Sequence, residues 1–345
     1  MSKTNVIAID LAKSVFQVCV FSASMQVISN KSMSRSRLKV WLAKQLPAQI
    51  AMEACASAHY WGRLAQSYGH QVILVPPRLV TPYRQGHKTD GNDALAIGIA
   101  SQQPQLKAVG VKTLDQQALQ STQRVQQHLS DQLTATGNSL RALLLEFGLV
   151  IGKGIAQLRR SVPAYLEDGD NALPMGARHS LGLLWESWQR LCEELKQAHR
   201  QLQNDSAANA HCRRLQALTG IGYHNAVGLY LCLGDGQHFK NGREAAACIG
   251  VTPKQYSSGG KVRLGGIGRY RGVQRLRSTL IVGSHAVVNA LHRRGPKDHT
   301  EQWLKALIER RGPGRAAVAL ANRNIRTAWA MLRYGTDYQP QPLAA

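Results

Sequence analysis

The stretch Val6-Ile-Ala-Ile-Asp10 has the pattern of a short buried β-strand that ends on an acidic residue. Apolar residues alternate from Val15 to Phe21 and predict a second strand, and Gln26 to Lys31 is the candidate third strand. Leu38 to Leu42 then indicates a helix after a segment rich in Ser and Arg. The start of the chain therefore predicts a three-stranded meander followed by a helix.

Two further strands follow the meander. Gln49 to Glu53 and Gln71 to Val75 are both apolar and short, and Pro76-Pro77 ends the second of them. A helical pattern over Tyr60 to Tyr68 separates these strands, and another helix begins near Asp90. The order βββαβαβα is typical of an RNase H-like domain, so residues 1–105 are predicted to form an α/β domain with a mixed five-stranded sheet.

The charge of the chain points to a polyanion as its partner. The 345 residues include 43 Lys and Arg against 20 Asp and Glu, a formal net charge of +23 that is spread along the chain. Nucleic acid is the first candidate for a distributed basic surface. A membrane is disfavoured because no apolar run reaches the roughly 18 residues of a spanning helix, and the start of the chain has no signal-peptide core. A bacterial cytoplasmic location is expected, with six reduced cysteines outside any C-x-x-C pattern rather than zinc ligands or disulfides.

The rest of the chain is predicted to be mainly helical. Residues 106–205 carry apolar stripes at helical spacing, first from Leu114 to Leu144 and again from His179 to Asn204, with breaks at 148–154 and 168–176. This pattern predicts an antiparallel coiled-coil arm, with a plain helical bundle packed on the first domain as the alternative. Residues 206–335 form a mainly α C-terminal domain, helical from Glu301 to Leu332, and residues 336–345 are an expected disordered tail.

Four acidic residues stand where an RNase H-like domain would bring them together. Asp10 and Glu53 each end a strand, and Asp90 and Asp93 lie three residues apart on one face at the start of a helix. Such crowding is costly unless divalent cations neutralise it, and two Mg²⁺ ions are the usual solution in phosphodiester chemistry. Taken singly, Asp10 has an alternative as a strand-end turn residue, Glu53 as a solvated side chain and Asp90 as a helix N-cap.

A glycine pair later in the chain has the spacing of a helix-hairpin-helix element. In Leu218-Thr-Gly-Ile-Gly-Tyr-His-Asn-Ala226, the turn at Gly220 and Gly222 would let backbone N–H groups approach a DNA phosphate, with Ala226 at the start of the second helix. An ordinary tight turn between two helices is an equally good interpretation.

A second glycine-rich block combines hydroxyl groups with cations. Thr252-Pro253 leads into Tyr256-Ser-Ser-Gly-Gly260, and the pattern indicates a flexible phosphate-binding loop. The candidate nucleic-acid-binding cations in and after it are Lys254, Lys261, Arg263, Arg269 and Arg271.

Three of these segments resemble blocks of a known family. Ile7-Ala-Ile-Asp-Leu-Ala-Lys13, Met52-Glu-Ala-Cys-Ala-Ser-Ala-His-Tyr-Trp61 and Lys88-Thr-Asp-Gly-Asn-Asp-Ala94 are similar to the DEDD transposases of insertion sequences. That family includes the Piv/MooV-type DNA invertases and the bridge-RNA-guided recombinases. The context His59-Tyr60-Trp61 resembles its eleven-eleven subgroup rather than its one-ten subgroup. The resemblance implies a RuvC-like domain in which Asp10, Glu53, Asp90 and Asp93 bind Mg²⁺.

The same family has a second hallmark, a transposase domain with Gly-x-Thr-Pro and Ser-Gly elements, which the block Ala247 to Arg263 resembles. In that domain the serine before the glycine is the nucleophile, which here is Ser258, with Ser257 as the alternative if the alignment is one place off. The resemblance implies a covalent phosphoserine link to DNA, a bridge RNA that pairs with donor and target DNA, and a dimer or tetramer of the chain.

The sequence therefore predicts a transposase that cuts and rejoins DNA with Mg²⁺ and a serine. Two other enzymes are alternatives: a hydrolytic nuclease like the Holliday-junction resolvases, which would use the four carboxylates and water and could dispense with Ser258, and a DNA invertase without an RNA guide, which would share all the same residues. A nucleic-acid-binding protein with a decayed acidic site is the non-enzymatic alternative, and it would tolerate loss of Asp10.

Overall fold

The computed structural model describes residues 5–267 and 273–343. The chain divides into two compact units, which are described separately. The first contains Met1–Gln117, Cys232–Ala245 and Leu332–Gly335, and the second contains Ala118–Leu231, Ala246–Met331 and Thr336–Ala345.

A five-stranded sheet forms the centre of the first unit. Its strands are β1 (Val6–Asp10), β2 (Val15–Phe21), β3 (Val27–Ser34), β4 (Gln49–Glu53) and β5 (Gln71–Val75). They lie in the order β3-β2-β1-β4-β5, with β2 antiparallel to β1 and β3 and with β4 parallel to β1 and β5. This is the mixed sheet of an RNase H-like domain, and it confirms the predicted α/β fold. The third strand is later and longer than the Gln26 to Lys31 predicted for it.

Alternating residues of each strand face opposite sides of the sheet. On one side Ile7, Ile9, Phe16 and Met52 belong to a core with α1 (Arg35–Ala43) and α2 (Ala58–Ser67). On the other side the alternate residues of the same strands, such as Ala8 and Ala51, pack with α4 (Asp90–Ser101). A short helix, α3 (Pro77–Val80), follows β5 at the two prolines, and a 3-10 turn at Thr81–Tyr83 follows α3. The sequence did not predict this helix.

Helix α4 lies unusually close to the sheet because of Gly98. A Cβ atom added at Gly98 would lie 2.2 Å from Cε2 of Phe21 and 3.2 Å from Cβ of Ala8. Phe21 is only 1% exposed and has no free space to move into. The close approach at Gly98 therefore fixes how near the start of α4 comes to the strand ends.

Segment 232–245 joins the first unit although it is distant in sequence from the strands. Lys107 Nζ lies 3.4 Å from Glu244 Oε1, and Gly110 faces the ring of His238, where an added Cβ would be 2.4 Å from Nε2. The unit thus extends beyond the residues 1–105 that the strand pattern covers.

The first half of the second unit consists mainly of three helices, α5 (Leu114–Leu145), α6 (Ile155–Glu167) and α7 (Met175–Ala208). The first four residues of α5 belong to the first unit. Thr122 Oγ1 donates to Asp205 Oδ2 at 2.9 Å, and Gln126 Nε2 lies 3.4 Å from His199 Nε2. The residue numbers of the partners fall along α7 as they rise along α5, so these two helices run antiparallel. Helix α6, which the sequence analysis left unassigned, shares their apolar core through Leu158 and Val162. The antiparallel pairing agrees with the predicted arm, while its coiled-coil character stays a prediction.

The rest of the chain is mainly helical with one hairpin, and its elements are α8 (Ala210–Leu215), α9 (Tyr223–Leu233), α10 (Gly242–Ile249), β6 (Pro253–Ser258), β7 (Lys261–Ile267), α11 (Gln274–Leu291), α12 (His299–Arg311) and α13 (Pro313–Tyr334). The prediction of a flexible loop around Ser258 was wrong, because β6 and β7 pair as antiparallel strands. The helical stretch from Glu301 to Leu332 is broken at Gly312, whose φ of +82° ends α12. Of the helices in the described residues, none combines the length and apolarity needed to cross a membrane.

Residues 336–343, for which the sequence predicts disorder, make specific contacts near the start of α12. The amide of His299 donates to the carbonyl of Gln341 at 3.1 Å, and Asp298 forms a β-bridge with Pro342. Tyr338 places its hydroxyl 3.0 Å from Thr300 Oγ1. Described residues of the tail therefore fold back as an extended segment, while Ala344 and Ala345 lie outside the described residues.

We predict that Gly98→Ala destabilises the protein by about 1–3 kcal/mol, because the added methyl group forces Phe21 or α4 to move in a filled core. Gly91→Ala in the same helix is the matched control, since its added Cβ would have its nearest neighbour at an ordinary 3.6 Å. Denaturant unfolding of both variants measures the difference. Equal stability of the two variants would contradict the close packing of α4.

Candidate active site

Two carboxylates stand side by side at the ends of neighbouring parallel strands. Ile9 of β1 pairs with Met52 of β4, so Asp10 and Glu53 are the next residues along each strand. Adjacent strands lie about 4.8 Å apart, which places the two Cα atoms at a similar separation. Both residues continue the face that carries Ala8 and Ala51, so their side chains are on the side of the sheet that α4 covers.

Helix α4 brings the other two carboxylates to the same edge. Its N-cap is Thr89, whose hydroxyl accepts a hydrogen bond from the amide of Asn92, and Asp90 and Asp93 lie in the first turn. Asn92 also donates from its side-chain amide to the carbonyl of His87 at 2.8 Å, which ties the preceding loop to the helix. Acidic residues are favoured in the first turn by the helix dipole, so this position suits two aspartates.

The charges of the neighbouring carboxylates act on Asp10 and Glu53. The pKa of Asp10 is raised to about 6, first by burial and then by the negative charges of Asp93, Asp90 and Glu53. The pKa of Glu53 is also raised, by burial and by Asp93. The two strand ends and the helix start thus lie at the same edge of the sheet in the first unit.

Two cations partly compensate for this negative charge. Arg84 places Nη1 3.2 Å from Oδ1 of Asp93, in an ion pair whose side chains are 30% and 18% exposed. Arg84 and Lys88 both lower the pKa of Glu53, and Lys88 lowers that of Asp10. Sequence reasoning missed Arg84, since nothing in the spacing of the 84–89 loop indicates that this side chain turns back to α4.

The donor set suits a hard divalent cation. All four side chains offer carboxylate oxygens, the ligands that Mg²⁺ prefers, and positive charge among them would relieve the repulsion that raises the pKa of Asp10. Within residues 5–267 and 273–343, however, no three His, Cys, Asp or Glu side chains converge closely enough to hold one ion together. The chemistry of the residues therefore fits a cation. Binding it would require the carboxylate side chains to move closer together and the ion pair between Arg84 and Asp93 to break.

The second unit carries the serines at the tip of its hairpin. Ser258 pairs with Lys261 across a two-residue turn, in which Gly259 and Gly260 have φ values of +54° and +76°. Two consecutive positive φ angles are typical of the tight turns that join antiparallel strands, and glycine adopts them without strain. Ser257 and Ser258 are both exposed.

The two faces of the hairpin differ in chemistry. Residues directly opposite each other in an antiparallel pair project to the same face. Ser258 and Lys261 therefore share a face with Tyr256 and Arg263, which are also paired. Ser257 instead shares the other face with Val262, which is 61% exposed.

The glycine turn before α9 divides into a packed part and an open part. Gly220 has a φ of +84° and lies against α11, where a Cβ added at Gly283 would be 2.6 Å from its carbonyl oxygen. Gly222 is exposed, with open space around it, directly before Tyr223 begins α9. The second helix thus begins three residues before the predicted Ala226. Lys254 lies on β6, whereas Arg269 and Arg271 fall outside the described residues.

The mixed five-stranded sheet, with carboxylates at the ends of β1 and β4, is consistent with the N-terminal domain of a DEDD-type transposase. Residues 7–148 match a family model described as a transposase, and residues 212–300 match one described as the IS116/IS110/IS902 family of transposases. A probable family 20 transposase of Pseudomonas aeruginosa is 38% identical over 335 residues, which cover 97% of this chain and 98% of the relative.

A transposase for insertion sequence element IS1111A of Coxiella burnetii is 34% identical over 339 residues, covering 98% of this chain and 92% of the relative. A pilin gene-inverting protein of Moraxella bovis is a more distant relative, at 23% identity over 295 residues and 82% of each chain. The chain belongs to the IS116/IS110/IS902 family of insertion-sequence transposases, enzymes that cut and rejoin DNA. This confirms the resemblance seen in the sequence.

We predict that Asp10 contributes stability to the metal-free protein that is lost as the pH rises from about 4 to 7. The pKa of Asp10 is higher in the folded chain, at about 6, than the 3.8 of a free side chain, so folding favours its protonated form. That contribution is complete below pH 3.8 and disappears as the pH rises through 6.

Thermal unfolding in the presence of a chelator, compared between wild type and Asp10→Asn, measures this contribution. The amide variant keeps the shape of the side chain without its charge, so its stability should depend less on pH over this range. Identical pH profiles of the two proteins would show that neither burial nor the neighbouring carboxylates raise the pKa of Asp10.

Proposed function

We propose that this transposase performs strand transfer with Mg²⁺ held by Asp10, Glu53, Asp90 and Asp93, and with Ser258 as the nucleophile. The observation that carries the proposal is the placement of four carboxylates at one edge of the sheet, where burial and then the negative charges of Asp93, Asp90 and Glu53 raise the pKa of Asp10 to about 6. A site that holds this much uncompensated negative charge gains most from cations, and the family acts on a phosphodiester.

The four acidic residues have distinct structural positions in this proposal. Asp10 and Glu53 are anchored by rigid strands, and Asp90 and Asp93 are carried by the first turn of α4. When bound, two Mg²⁺ ions would supply charge stabilisation at the attacking and leaving oxygens of the phosphoryl transfer. Arg84, released from Asp93, becomes available to a phosphate oxygen at the same edge.

Ser258 would form the covalent link to DNA. Its Oγ attacks the phosphorus, loses its proton to solvent, and forms a phosphoserine ester while the bond from phosphorus to one deoxyribose oxygen breaks and that oxygen takes up a proton. The released hydroxyl group of another strand end can then attack the phosphoserine and restore both a DNA phosphodiester and the free serine. Because each step exchanges one phosphate ester for another, bond energy is kept for rejoining.

The hairpin supports Ser258 over Ser257. A nucleophile that attacks a phosphate benefits from nearby cations, and Ser258 shares its face with Lys261 and Arg263. Ser257 shares its face with Val262 and Leu264, which are 61% and 67% exposed. These apolar neighbours give a phosphate nothing to bind.

The nucleic-acid grip is distributed over the chain. The net charge of +23 supplies a long-range attraction for phosphate, and Lys254, Lys261, Arg263, Arg269 and Arg271 are its proposed local contacts in and after the hairpin. The open backbone at Gly222 before α9 suits a helix-hairpin-helix contact to a phosphate, while Gly220 supports that turn by packing on α11.

Family membership suggests two further partners. A bridge RNA that pairs with donor and target DNA would read sequence while the basic protein surface holds phosphates. A dimer or tetramer would supply the several active sites that four strand cuts need, and the antiparallel pair α5 and α7 would serve as its coiled-coil arm. The distant similarity to a pilin gene-inverting protein makes DNA inversion the second candidate outcome, with the same residues.

We predict that Asp10→Ala and Glu53→Ala each reduce strand transfer by at least about 100-fold, because metal-dependent charge stabilisation is worth several kcal/mol. Binding of labelled donor DNA in the absence of metal should change by less than about twofold, since the basic surface is intact. Gel assays of transfer and filter binding measure both quantities. Strand transfer at the wild-type rate by Asp10→Ala would sink the assignment of the acidic site.

We predict that Ser258→Ala abolishes covalent attachment to DNA, whereas Ser257→Ala, its neighbour on the opposite hairpin face, retains it. Protein–DNA adducts from a reaction with Mg²⁺, donor and target DNA and RNA from the flank of the element are trapped on a denaturing gel. Loss of the adduct in Ser257→Ala alone would move the nucleophile by one position. Cleavage that ignores Ser258 and RNA would favour a resolvase-like nuclease.

A further inference from the structure

A row of polar side chains on β2 and β3 continues the acidic face of the sheet. Gln17 lies directly opposite Asp10, and Ser32 lies opposite Gln17. Asn30, two residues before Ser32, projects to the same face, which is the side that α4 covers. The row therefore runs from the strand end that carries Asp10 to the outer strand β3.

These side chains are joined by hydrogen bonds that lead to α4. Ser32 Oγ donates to Gln17 Oε1 at 2.7 Å, and Gln17 Nε2 donates to Asn30 Oδ1 at 2.7 Å. Asn30 Nδ2 then donates to the carbonyl of Gly91 at 3.0 Å. Because Gln17 occupies the oxygen of Asn30, it orients the amide so that its nitrogen faces Gly91.

Gly91 is the residue between two proposed metal ligands. It follows Asp90 and comes two residues before Asp93 in the first turn of α4. Its backbone lies beside both amides, since a Cβ added at Gly91 would be in ordinary contact with Asn30 Nδ2 at 3.6 Å and with Gln17 Nε2 at 3.9 Å. A bond to this carbonyl therefore acts on the backbone that carries both aspartates.

We propose that Asn30, oriented by Gln17, is a positioning residue of the acidic site, which holds the first turn of α4 and thereby sets where Asp90 and Asp93 meet Asp10 and Glu53. This inference rests on the proposed function of those four carboxylates. In this inference Asn30 contacts neither DNA nor a cation, and it acts only through the backbone of Gly91.

The contribution is expected in cation binding rather than in folding. Asn30 is exposed and belongs to neither apolar core of the sheet, so truncating it leaves no cavity. The helix start is also held by its Thr89 cap and by the bond from Asn92 to His87. Cation affinity, in contrast, depends on ligand positions held within about 0.5 Å, so a small drift of the turn is sufficient to weaken it.

The experiment measures Mn²⁺ binding to the full chain by electron paramagnetic resonance, in which the signal of free Mn²⁺ decreases as the ion binds. Thermal unfolding is recorded on the same samples. Asn30→Ala should raise the dissociation constant about tenfold, the lower end of the range for residues that orient metal ligands, with an unchanged melting temperature. Gln17→Ala should give a smaller increase. The double variant should equal Asn30→Ala alone, since Gln17 acts through Asn30.

Ser29→Ala is the matched control, because Ser29 is on the same strand but pairs with Val20 and projects to the opposite face. It should bind Mn²⁺ as wild type does. Wild-type affinity in Asn30→Ala would overturn the positioning role, as would an additive loss in the double variant. Asp10→Ala separates the two levels: if it binds Mn²⁺ normally, the proposed metal site itself is wrong, whereas weak binding with a normal Asn30→Ala rejects only the inference.

Discussion

The close packing of α4 on the five-stranded sheet is the constraint on which the acidic site depends. Gly98 lets the helix approach Phe21 and Ala8, and the same helix begins at the edge where β1 and β4 end. Its first turn must then face Asp10 and Glu53. The pKa of Asp10 is raised first by burial and then by the nearby carboxylates, and apolar packing farther along the helix holds those like charges near one another.

The two units contribute different chemistry. The first places four carboxylates at one sheet edge in a chain whose net charge is +23, so an acidic edge stands within a protein whose overall charge favours nucleic acid. The second presents a hairpin whose two faces separate a serine among cations from a serine among apolar side chains. The family to which the chain belongs cuts and rejoins DNA, and the proposed function assigns the cation site to the first unit and the nucleophile to the second.

The strand order and the position of the carboxylates at one edge of the sheet could be predicted from the sequence, because alternation and strand ends are local signals and the topology brings those ends to the same edge. The contacts of Arg84 and Asn30 could not be predicted, since each joins two segments of the chain and the periodicity of the sequence does not show that these segments lie close together. Gln17 offered a weak signal, as a polar residue that alternation places on the same face as Asp10. The hairpin was mistaken for a loop because β6 and β7 are exposed on both faces and lack the apolar alternation of a half-buried strand.

The most direct test of the acidic site is an anomalous-diffraction map of crystals of the protein soaked with Mn²⁺ in place of Mg²⁺. The account predicts an anomalous peak at the edge formed by β1, β4 and the start of α4, about 2.1 Å from carboxylate oxygens of Asp10 and at least one of Asp90 and Asp93. It also predicts that Arg84 has left Asp93 in that crystal. A bound Mn²⁺ elsewhere, with this edge empty and the ion pair of Arg84 intact, would contradict the account.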